Sequence, residues 1–471
     1  MNITSLAIEN KVLFLSLLFI CIFSGITTFN DMPRDDMPPF LIRVINVVST
    51  FPGAGPERVE LLVTDPIEKV IQEIPEIDYI TSESRTGISI VTVAIRDSEF
   101  DLQPIFDNIR RKVEDAGRTL PQGVVPVVND EMGDVFGILI GLTADGYTFS
   151  ELKDIADEVR DGLIKIPDAA KVEIVGDHQE RVYVDFDSAR LSELGLSKKQ
   201  IENVLGATNI IFPGGDLRIG DERIILEPTG NFESIEDLED VIIPVGQDNI
   251  IVRLGDVARI RRGYEDPPQS MVRINGESGI VIGVNLKKGG NVVKLGEEVD
   301  KVMNGYLQTY PIGVDFVRVS SQDKVVDESV MGFVSNLLQS VAVVLFTMLI
   351  FLGLRTGLIV SSLIPSVIVV TIMIMTFLGI GLNQVSLAAL IIALGMLVDN
   401  AIVISESVMV KMERGDTVLD AAVSSSSELS VPLLVSSLTT AAAFISFYLA
   451  ESSMGEIMGQ IFMVVTAALL S

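Results

Sequence analysis

A single carboxylate stands inside a long apolar segment of the chain. Residues 386–410 read SLAALIIALGMLVDNAIVISESVMV, and Asp399 lies near the middle of this run. An acidic residue at the centre of a membrane helix costs roughly 2.5–3.5 kcal/mol on insertion scales, so such residues usually face other helices or water and often carry protons or ions. Asp399 is therefore a candidate for proton coupling. The alternative is an interhelical hydrogen bond that only stabilises a helix bundle.

Two polar residues accompany Asp399 on the same segment. Asn400 cannot titrate, but its amide can form hydrogen bonds across helices. Glu406 follows seven residues after Asp399, which places it close to the same helix face and nearer the expected cytoplasmic end. We expect Glu406 to be either a secondary group on a proton path or a solvated carboxylate at the helix end.

Six apolar runs predict six membrane helices. At about 1.5 Å of rise per residue, each run approaches the thickness of a bilayer. The first run is expected to be an uncleaved anchor in preference to a signal peptide, and the last stops without a polar flank. We therefore expect this chain to be either a fragment of a longer protein or a subunit that a second polypeptide completes. The runs cover residues 12–29, 333–354, 358–382, 386–410, 432–450 and 457–471.

Basic residues in the short loops predict the orientation of these helices. Arg355, Lys411 and Arg414 all fall on the cytoplasmic side when the N-terminus is inside, as the excess of Lys and Arg in cytoplasmic loops requires. Residues 30–329 then lie outside the cytoplasm. Residues 413–430 are expected to lie along the cytoplasmic surface before the fifth helix begins.

Composition excludes several classes of function. The formal net charge of −29 argues against a nucleic-acid partner, because phosphate binding needs basic patches. With one histidine and one cysteine, the chain offers neither an intrachain disulfide nor a multi-histidine metal site, and we expect no enzyme activity and no cofactor. The glycine clusters at residues 212–215 and 287–290 lack the spacing of a phosphate-binding loop and predict turns.

The polar region alternates short strand patterns with amphipathic helices. Its first part predicts the order strand, helix, strand, strand, helix, strand, which is the split-βαβ plan. The predicted elements of this part are strands at 40–48, 77–83, 88–95 and 124–128, and helices at 56–72 and 101–118.

A second copy of the same order is predicted after residue 133, interrupted by an insert. Two such units in series suggest an internal duplication. Residues 177–268 form the predicted insert, in which residues 208–223 have the pattern of a projecting hairpin. The predicted elements of the second copy are strands at 135–142, 172–175, 271–274, 279–286 and 314–319, and helices at 148–164 and 291–310.

Three segments resemble one family of transporters. The sequence GMLVDNAIV at residues 395–403, with Glu406 beyond it, closely resembles the fourth membrane helix of resistance–nodulation–division (RND) efflux pumps. FPGAGPERVE at residues 51–60 and ITSESRTG at residues 80–87 resemble the first porter subdomain of the same family. The likeness covers the whole chain in order, and we identify the chain as similar to the N-terminal half of such a permease.

This resemblance implies a membrane α-helical bundle plus an α+β periplasmic region with ferredoxin-like porter subdomains and a docking insert. The implied organisation is a leader and first helix (1–29), a first porter subdomain (30–132), a second porter subdomain in two parts (133–176 and 269–329), a docking-like insert (177–268) and membrane helices two to six (330–471).

The resemblance also implies a function and partners. RND pumps are proton antiporters of the bacterial inner membrane that export amphiphilic small molecules. The family implies a homotrimer in membrane lipid, a periplasmic adaptor and an outer-membrane channel. A docking-domain arm reaches into the neighbouring subunit in such pumps, and the corresponding hairpin at residues 208–223 is short.

The chain departs from the family pattern in two ways. Drug exporters of the family commonly carry two adjacent acidic residues where this chain has Asp399 followed by Asn400. Burial raises the pKa of a carboxyl group and a nearby cation lowers it, so one buried carboxylate suffices as a proton switch. The family's second half, which supplies the cation, is not in this sequence. A metal-exporting RND permease and a membrane-anchored binding module that does not transport are the alternatives.

Overall fold

The computed structural model describes residues 3–131, 135–208, 216–219, 222–225, 232, 234–245, 250–268, 270–310 and 313–471. The chain divides into two compact units. The first unit contains residues 1–141, 157–173 and 282–471, and the second contains residues 142–156 and 174–281.

Two helices open the chain, α1 (Ile3–Glu9) and α2 (Lys11–Asp31). Helix α2 confirms the predicted first apolar span. Its buried Gly25 permits a close helix contact, because a Cβ atom at this position would lie 2.3 Å from Cγ1 of Val369. A side chain at residue 25 would therefore push the two backbones apart.

The first mixed region has the predicted order of elements. It consists of β1 (Val44–Thr50), α3 (Pro56–Val59), a π-helical turn (Glu60–Thr64), α4 (Asp65–Ile71), β2 (Ile77–Arg85), β3 (Ile88–Ile95), α5 (Gln103–Gly117) and β4 (Pro126–Asn129). The four strands form an antiparallel sheet in the order β2–β3–β1–β4. The predicted strand at residues 88–95 is confirmed at both ends.

The start of β1 differs from the prediction of a strand over residues 40–48. The strand begins at Val44, because the backbone N–H of Leu41 donates to Glu456 Oε2 at 2.8 Å instead of joining the sheet.

The core of this region lies between one face of the sheet and helices α4 and α5. Each fully buried aliphatic side chain contributes about 1.5–3 kcal/mol. Its buried members include Ile45, Val47, Val91 and Val93 of the sheet and Ile67, Ile71, Ile109 and Val113 of the helices.

The next elements along the chain are β5 (Ile138–Ala144), α6 (Phe149–Leu163), β6 (Ala169–Val175), β7 (Glu180–Phe186), α7 (Ser188–Glu193) and α8 (Lys198–Thr208). They are followed by β8 (Asp216–Ile219), β9 (Glu222–Ile225), α9 (Ile235–Glu239), β10 (Ile242–Val245), β11 (Ile250–Arg253), α10 (Leu254–Val257) and β12 (Ala258–Tyr264).

The described residues of the predicted insert form three antiparallel strand pairs, β7 with β12, β8 with β9 and β10 with β11. The pairing of β8 with β9 forms a hairpin over residues 216–225, which overlaps the hairpin predicted at residues 208–223 but ends two residues later. The predicted glycine turn at residues 212–215 lies outside the described residues. The only histidine in the sequence, His178, stacks on Phe149 with ring centroids 4.4 Å apart.

The second mixed region resumes with β13 (Val272–Ile274), β14 (Glu277–Leu286), α11 (Val292–Thr309) and β15 (Val314–Ser321). Its sheet has the strand order β13–β14–β5–β15, and β6 pairs with β14. Helix α11 is capped by Asn291, whose Oδ1 accepts from the N–H groups of Val293 and Lys294 at 3.1 Å each. The predicted helix at residues 291–310 is confirmed.

Long apolar helices form the rest of the chain. They are α12 (Gln322–Phe377), which is interrupted at Gly353 with a φ of +76°, α13 (Gln384–Glu413), α14 (Val418–Tyr448) and α15 (Ser453–Leu470). Among the described residues, six helices are long and apolar enough to cross a membrane, counting α2 and the two parts of α12. The six predicted spans are therefore confirmed in number and order.

The expectation for residues 413–430 was wrong. Residues 418–430 do not form a separate surface segment but are the first turns of α14, which continues through Pro432 to Tyr448. Serine hydroxyls in this part donate to carbonyls of the preceding turn, as Ser430 Oγ does to Ser427 O at 3.2 Å. These bonds satisfy the hydroxyls inside a continuous helix, so the serine-rich sequence does not end it.

An apolar core holds the long helices together. It brings one face of α12 against α13 and α15 and leaves the opposite faces of the helices exposed. Buried members of this core include Ile364, Ile368 and Ile372 of α12, Leu387, Leu390 and Ala393 of α13, and Val464, Val465 and Ala468 of α15.

Candidate functional site

Helix α13 carries the candidate residues, and its first turn is held by a reciprocal cap. Asn383 Oδ1 accepts from the N–H of Ser386 at 2.9 Å, and the N–H of Asn383 donates to Ser386 Oγ at 2.9 Å. This capping box satisfies two backbone donors at once. The Asn383 side chain also donates to Gln460 Oε1 of α15 at 3.0 Å, and all three residues are buried. The start of α13 is thus fixed to α15.

The side chains of α13 are more exposed near Asp399 than at the start of the helix. Its buried residues all precede Gly395, whereas Asp399 is exposed and Asn400 is half-buried. We expected Asp399 to be buried, and within this chain it is not. The reason is geometric, because Asn400 points toward α14 and Asp399 is rotated about 100° away from it on the helix. Within the described part of the chain, the Asp399 carboxylate has no hydrogen bond or ion pair.

Asn400 makes the contact that the sequence predicted for it. Its Nδ2 donates to Ser437 Oγ of α14 at 3.4 Å, and Ser437 is buried. Beside this contact runs a groove of about 320 Å³ that is lined partly by hydroxyl groups. The groove residues are Asn400, Ile404, Ser426, Ser430, Ser437 and leucines of α14 and α15. A polar wall of this kind suits water or other protein better than lipid.

Glu406 lies further along the same helix and is also exposed. Seven residues correspond to almost two turns, so Glu406 shares a face with Asp399 but lies about 10 Å away along the axis. The structure therefore places Asp399 and Glu406 on one exposed face without bringing them into contact. At this end of α13, Lys411 Nζ lies 2.8 Å from Glu428 Oε2 of α14.

The segment at residues 33–36 joins the start of α13 to the start of α11. The N–H of Leu382 donates to Pro33 O at 2.9 Å, the N–H of Asp35 donates to Leu382 O at 3.1 Å, and the N–H of Val292 donates to Arg34 O at 2.9 Å. The buried Asn291 also donates through Nδ2 to Met32 O at 3.1 Å. Sequence reasoning missed this junction, although the charged run Arg34-Asp35-Asp36 directly after an apolar span was a visible signal.

Two carboxylates in this junction have side-chain partners on other elements. Asp35 Oδ1 accepts from Gln322 Nε2 at 3.1 Å, and Asp36 Oδ1 accepts from Gln384 Nε2 at 2.5 Å. Burial raises the pKa of Asp35, and the bond from the N–H of Asp36 opposes this shift. Asp35 lies just beyond α2, so it is a partly desolvated carboxylate outside the candidate spans.

These features define a multi-helix membrane protein. A large α+β region lies between the first candidate span and the other five, and an acidic residue lies in the middle of the fourth. The sequence profile of the AcrB/AcrD/AcrF family matches residues 3–471. The chain therefore belongs to this family of RND permeases.

Individual relatives carry names from two kinds of exporter. The chain is 27% identical over 418 residues to the cation efflux system protein CzcA of Alcaligenes sp. strain CT14, a match that covers 86% of this chain and 39% of the relative. It is 26% identical over 452 residues to the multidrug resistance protein MdtC of Klebsiella pneumoniae subsp. pneumoniae, covering 94% and 44%. An uncharacterized transporter of Haemophilus influenzae is 24% identical over 469 residues, covering 98% and 44%. The chain spans less than half the length of these curated relatives.

Proposed function

We propose that this chain is the membrane and porter half of a proton-driven exporter of small amphiphilic compounds. The observation that carries the proposal is the position of Asp399, an exposed carboxylate in the middle of a candidate membrane helix. Such a group is stable in a bilayer only when water or other protein covers it. We propose that a further part of the transporter covers this face. That part also supplies a basic side chain, which pairs with the Asp399 carboxylate when the carboxylate has released its proton.

Asn400 and Glu406 have supporting roles in this proposal. Asn400 orients α13 against α14 through Ser437, which leaves the neighbouring carboxylate turned outward. Glu406 shares the outward face and lies toward the cytoplasmic end, where it relays or releases protons. Proton movement between Asp399 and Glu406 requires water between them, because about 10 Å of helix separates the two residues.

The finer architecture is part of the same proposal. Ferredoxin-like porter subdomains are supported by the order β2–β3–β1–β4 of the first sheet, with α4 and α5 on one face. We assign residues 30–132 to the first porter subdomain, residues 133–176 and 269–329 to the second, and residues 177–268 to a docking insert. The strand pairs β7–β12, β8–β9 and β10–β11 belong to that insert.

Location and partners follow from family membership. We propose a bacterial inner-membrane protein whose α+β region lies in the periplasm. There it works as a homotrimer with a periplasmic adaptor and an outer-membrane channel. Positive residues support this orientation. Lys411 and Arg414 lie at the C-terminal end of α13, and short loops rich in Lys and Arg usually face the cytoplasm.

Metal-ion export is a second candidate function. It is favoured by the similarity to CzcA, whose name describes cation efflux. The two candidates differ in what the porter region must bind, which is apolar surface in one case and oxygen, nitrogen or sulfur ligands in the other.

A resistance assay with two substrate panels tests both candidates. Cells that express the protein from its native locus are challenged with amphiphilic dyes and with zinc, cobalt and cadmium, and each panel is repeated with Asp399→Asn. The proposal expects dye resistance that disappears in the variant and in cells treated with a protonophore. Metal resistance that disappears with Asp399→Asn would favour the second candidate.

A matched control separates coupling from stability. Glu451→Gln removes a carboxylate from the loop before α15, outside the candidate spans, and should leave resistance unchanged. Membrane levels of all variants are compared by immunoblotting. Full dye and metal resistance in Asp399→Asn at wild-type protein level would show that this carboxylate does not drive export.

A further inference from the structure

A buried ion pair connects the first turn of α15 with the chain just before β1. Arg43 pairs with Glu456 Oε1, and the two side chains are only 4% and 18% exposed. The other carboxylate oxygen, Oε2, accepts from the N–H of Leu41 at 2.8 Å. Both oxygens of Glu456 are therefore occupied by the same short segment of chain.

The other two nitrogens of the Arg43 guanidinium have partners as well. Its Nε donates to Glu99 O at 3.0 Å, and one terminal nitrogen lies 3.4 Å from both Leu41 O and Ser453 Oγ. The guanidinium also lies over the ring of Phe100 at 5.5 Å from the centroid. A buried ion pair offsets its desolvation cost only when its other hydrogen-bonding groups are satisfied. Here each of the three guanidinium nitrogens has a hydrogen-bond partner, and the planar guanidinium fixes one relative position of three chain segments.

Other ion pairs in the same mixed region differ in their surroundings. Lys69 and Asp65 are 70% and 43% exposed, and Lys112 and Glu73 are 30% and 65% exposed. Exposed pairs of this kind contribute little to structure because water screens them. The burial of Arg43 and Glu456 therefore separates them from the solvated pairs.

The ion pair lies one helical turn from a second buried contact. Gln460 follows Glu456 by four residues on α15, and its side chain accepts from Asn383 at the start of α13. Helix α13 carries Asp399. Two polar contacts one turn apart on α15 thus join this helix to the start of α13 and to the segment just before the first sheet.

We propose that Arg43 and Glu456 are a positioning pair that holds α15 and the first mixed region together throughout transport, so that displacement of α13 and α15 reaches that region. The proposal rests on the proposed function, in which Asp399 drives the displacement. It adds that the pair stays closed during the cycle, which distinguishes it from a gate that must open.

A cysteine pair joined by a chemical linker tests this role. Cys21 is the only cysteine, so Cys21→Ala gives a clean background. Arg43→Cys with Glu456→Cys removes the ion pair, and we expect dye efflux per molecule to fall about tenfold, the size of typical coupling changes. A bifunctional thiol reagent long enough to replace the two side chains should restore efflux, because a permanent link is compatible with a pair that never opens.

The controls separate this proposal from the function on which it rests. Asp65→Cys with Lys69→Cys, treated identically, should keep wild-type efflux before and after linking. Asp399→Asn in the same background tests the driving residue alone, so retained efflux there counts against the proposed function and not against the pair. Wild-type efflux in the Arg43 and Glu456 cysteine pair, or lost efflux that linking does not restore, overturns the positioning role.

A conservative variant covers the case in which the cysteine pair does not reach the membrane. Arg43→Lys keeps the charge but lacks the planar fork that contacts Glu456, Glu99 and Ser453 together. The proposal expects reduced efflux per molecule with unchanged substrate binding, measured by fluorescence polarisation of a dye on the purified protein. Wild-type efflux in Arg43→Lys overturns the proposal.

Discussion

The side-chain amide of Asn400 donates to the hydroxyl of Ser437 at 3.4 Å, which joins α13 to α14 directly beside the exposed Asp399. The two neighbours on α13 thus have different surroundings, one facing a helix and the other facing outward. Because residue 400 is an amide, this level of α13 carries one titratable group and one fixed contact.

The contact between Asn400 and Ser437 should be worth little in stability. We expect Asn400→Ala and Ser437→Ala each to lower the free energy of unfolding by about 0.6 kcal/mol, the average for hydrogen bonds between membrane helices. The double variant should cost less than the sum of the single variants, as measured by thermal unfolding in detergent. Thr439→Ala is the control on α14, since its hydroxyl bonds only to Val435 O within the same helix. Strict additivity of the two single effects would contradict the contact.

A glycine on α11 should tolerate no side chain, whereas another on the same helix should. A Cβ atom at Gly296 would lie 2.2 Å from Asp323 Oδ2 at the start of α12, while one at Gly305 would meet nothing within 4 Å. We expect Gly296→Ala to destabilise the protein by about 1–3 kcal/mol through overpacking. Gly305→Ala should stabilise it by about 0.5–1 kcal/mol through helix propensity. Thermal unfolding in detergent checks both, and a shift of the same sign in the two variants would contradict the close approach of α11 to Asp323.

The stability of the protein should contain a pH-dependent contribution from Asp35. Burial raises the pKa of Asp35 above the 3.8 of an unperturbed aspartate, so the folded state binds this proton more tightly than the unfolded state does. The contribution is therefore most favourable at acid pH and declines as the pH rises through the raised pKa.

The variant Asp35→Asn isolates this contribution. An amide oxygen can still accept from Gln322 and from the N–H of Asp36 without the cost of a desolvated charge. We expect the variant to melt at a higher temperature than the wild type near neutral pH, and the difference to shrink below about pH 4. Asp31→Asn removes an exposed charge and should give a much smaller difference. A melting temperature of Asp35→Asn below that of the wild type at neutral pH would contradict the assignment.

Local patterns in the sequence were sufficient for most of the fold. The strand pattern at residues 88–95 predicted both bounds of β3, and the apolar runs predicted all six candidate spans in order. The start of α14 was missed because the apolar run that predicted the fifth span begins only at residue 432, whereas the helix begins at Val418 and includes the serine-rich residues 424–427. In the structure their hydroxyls bond within or between helices, as Ser407 Oγ does to Ser425 Oγ at 2.9 Å.

The contacts that position the candidate site were outside the reach of the sequence. Arg43 and Glu456 are separated by 413 residues, and Asp35 and Gln322 by 287, so no local periodicity relates them. The exposure of Asp399 was missed for another reason. A charge in an apolar run predicts burial against other helices, but the helices that this chain supplies pack on the opposite side of α13.

The most direct test of the account is proton flux driven by substrate in vesicles that contain the purified transporter. Vesicles with a pH-sensitive dye inside are given an exported amphiphile and an imposed substrate gradient. The wild type should move protons against the direction of substrate, and Asp399→Asn should show no flux above that of protein-free vesicles while still binding the substrate. Substrate-driven proton flux at the wild-type rate in Asp399→Asn would contradict the assignment of this carboxylate as the coupling group.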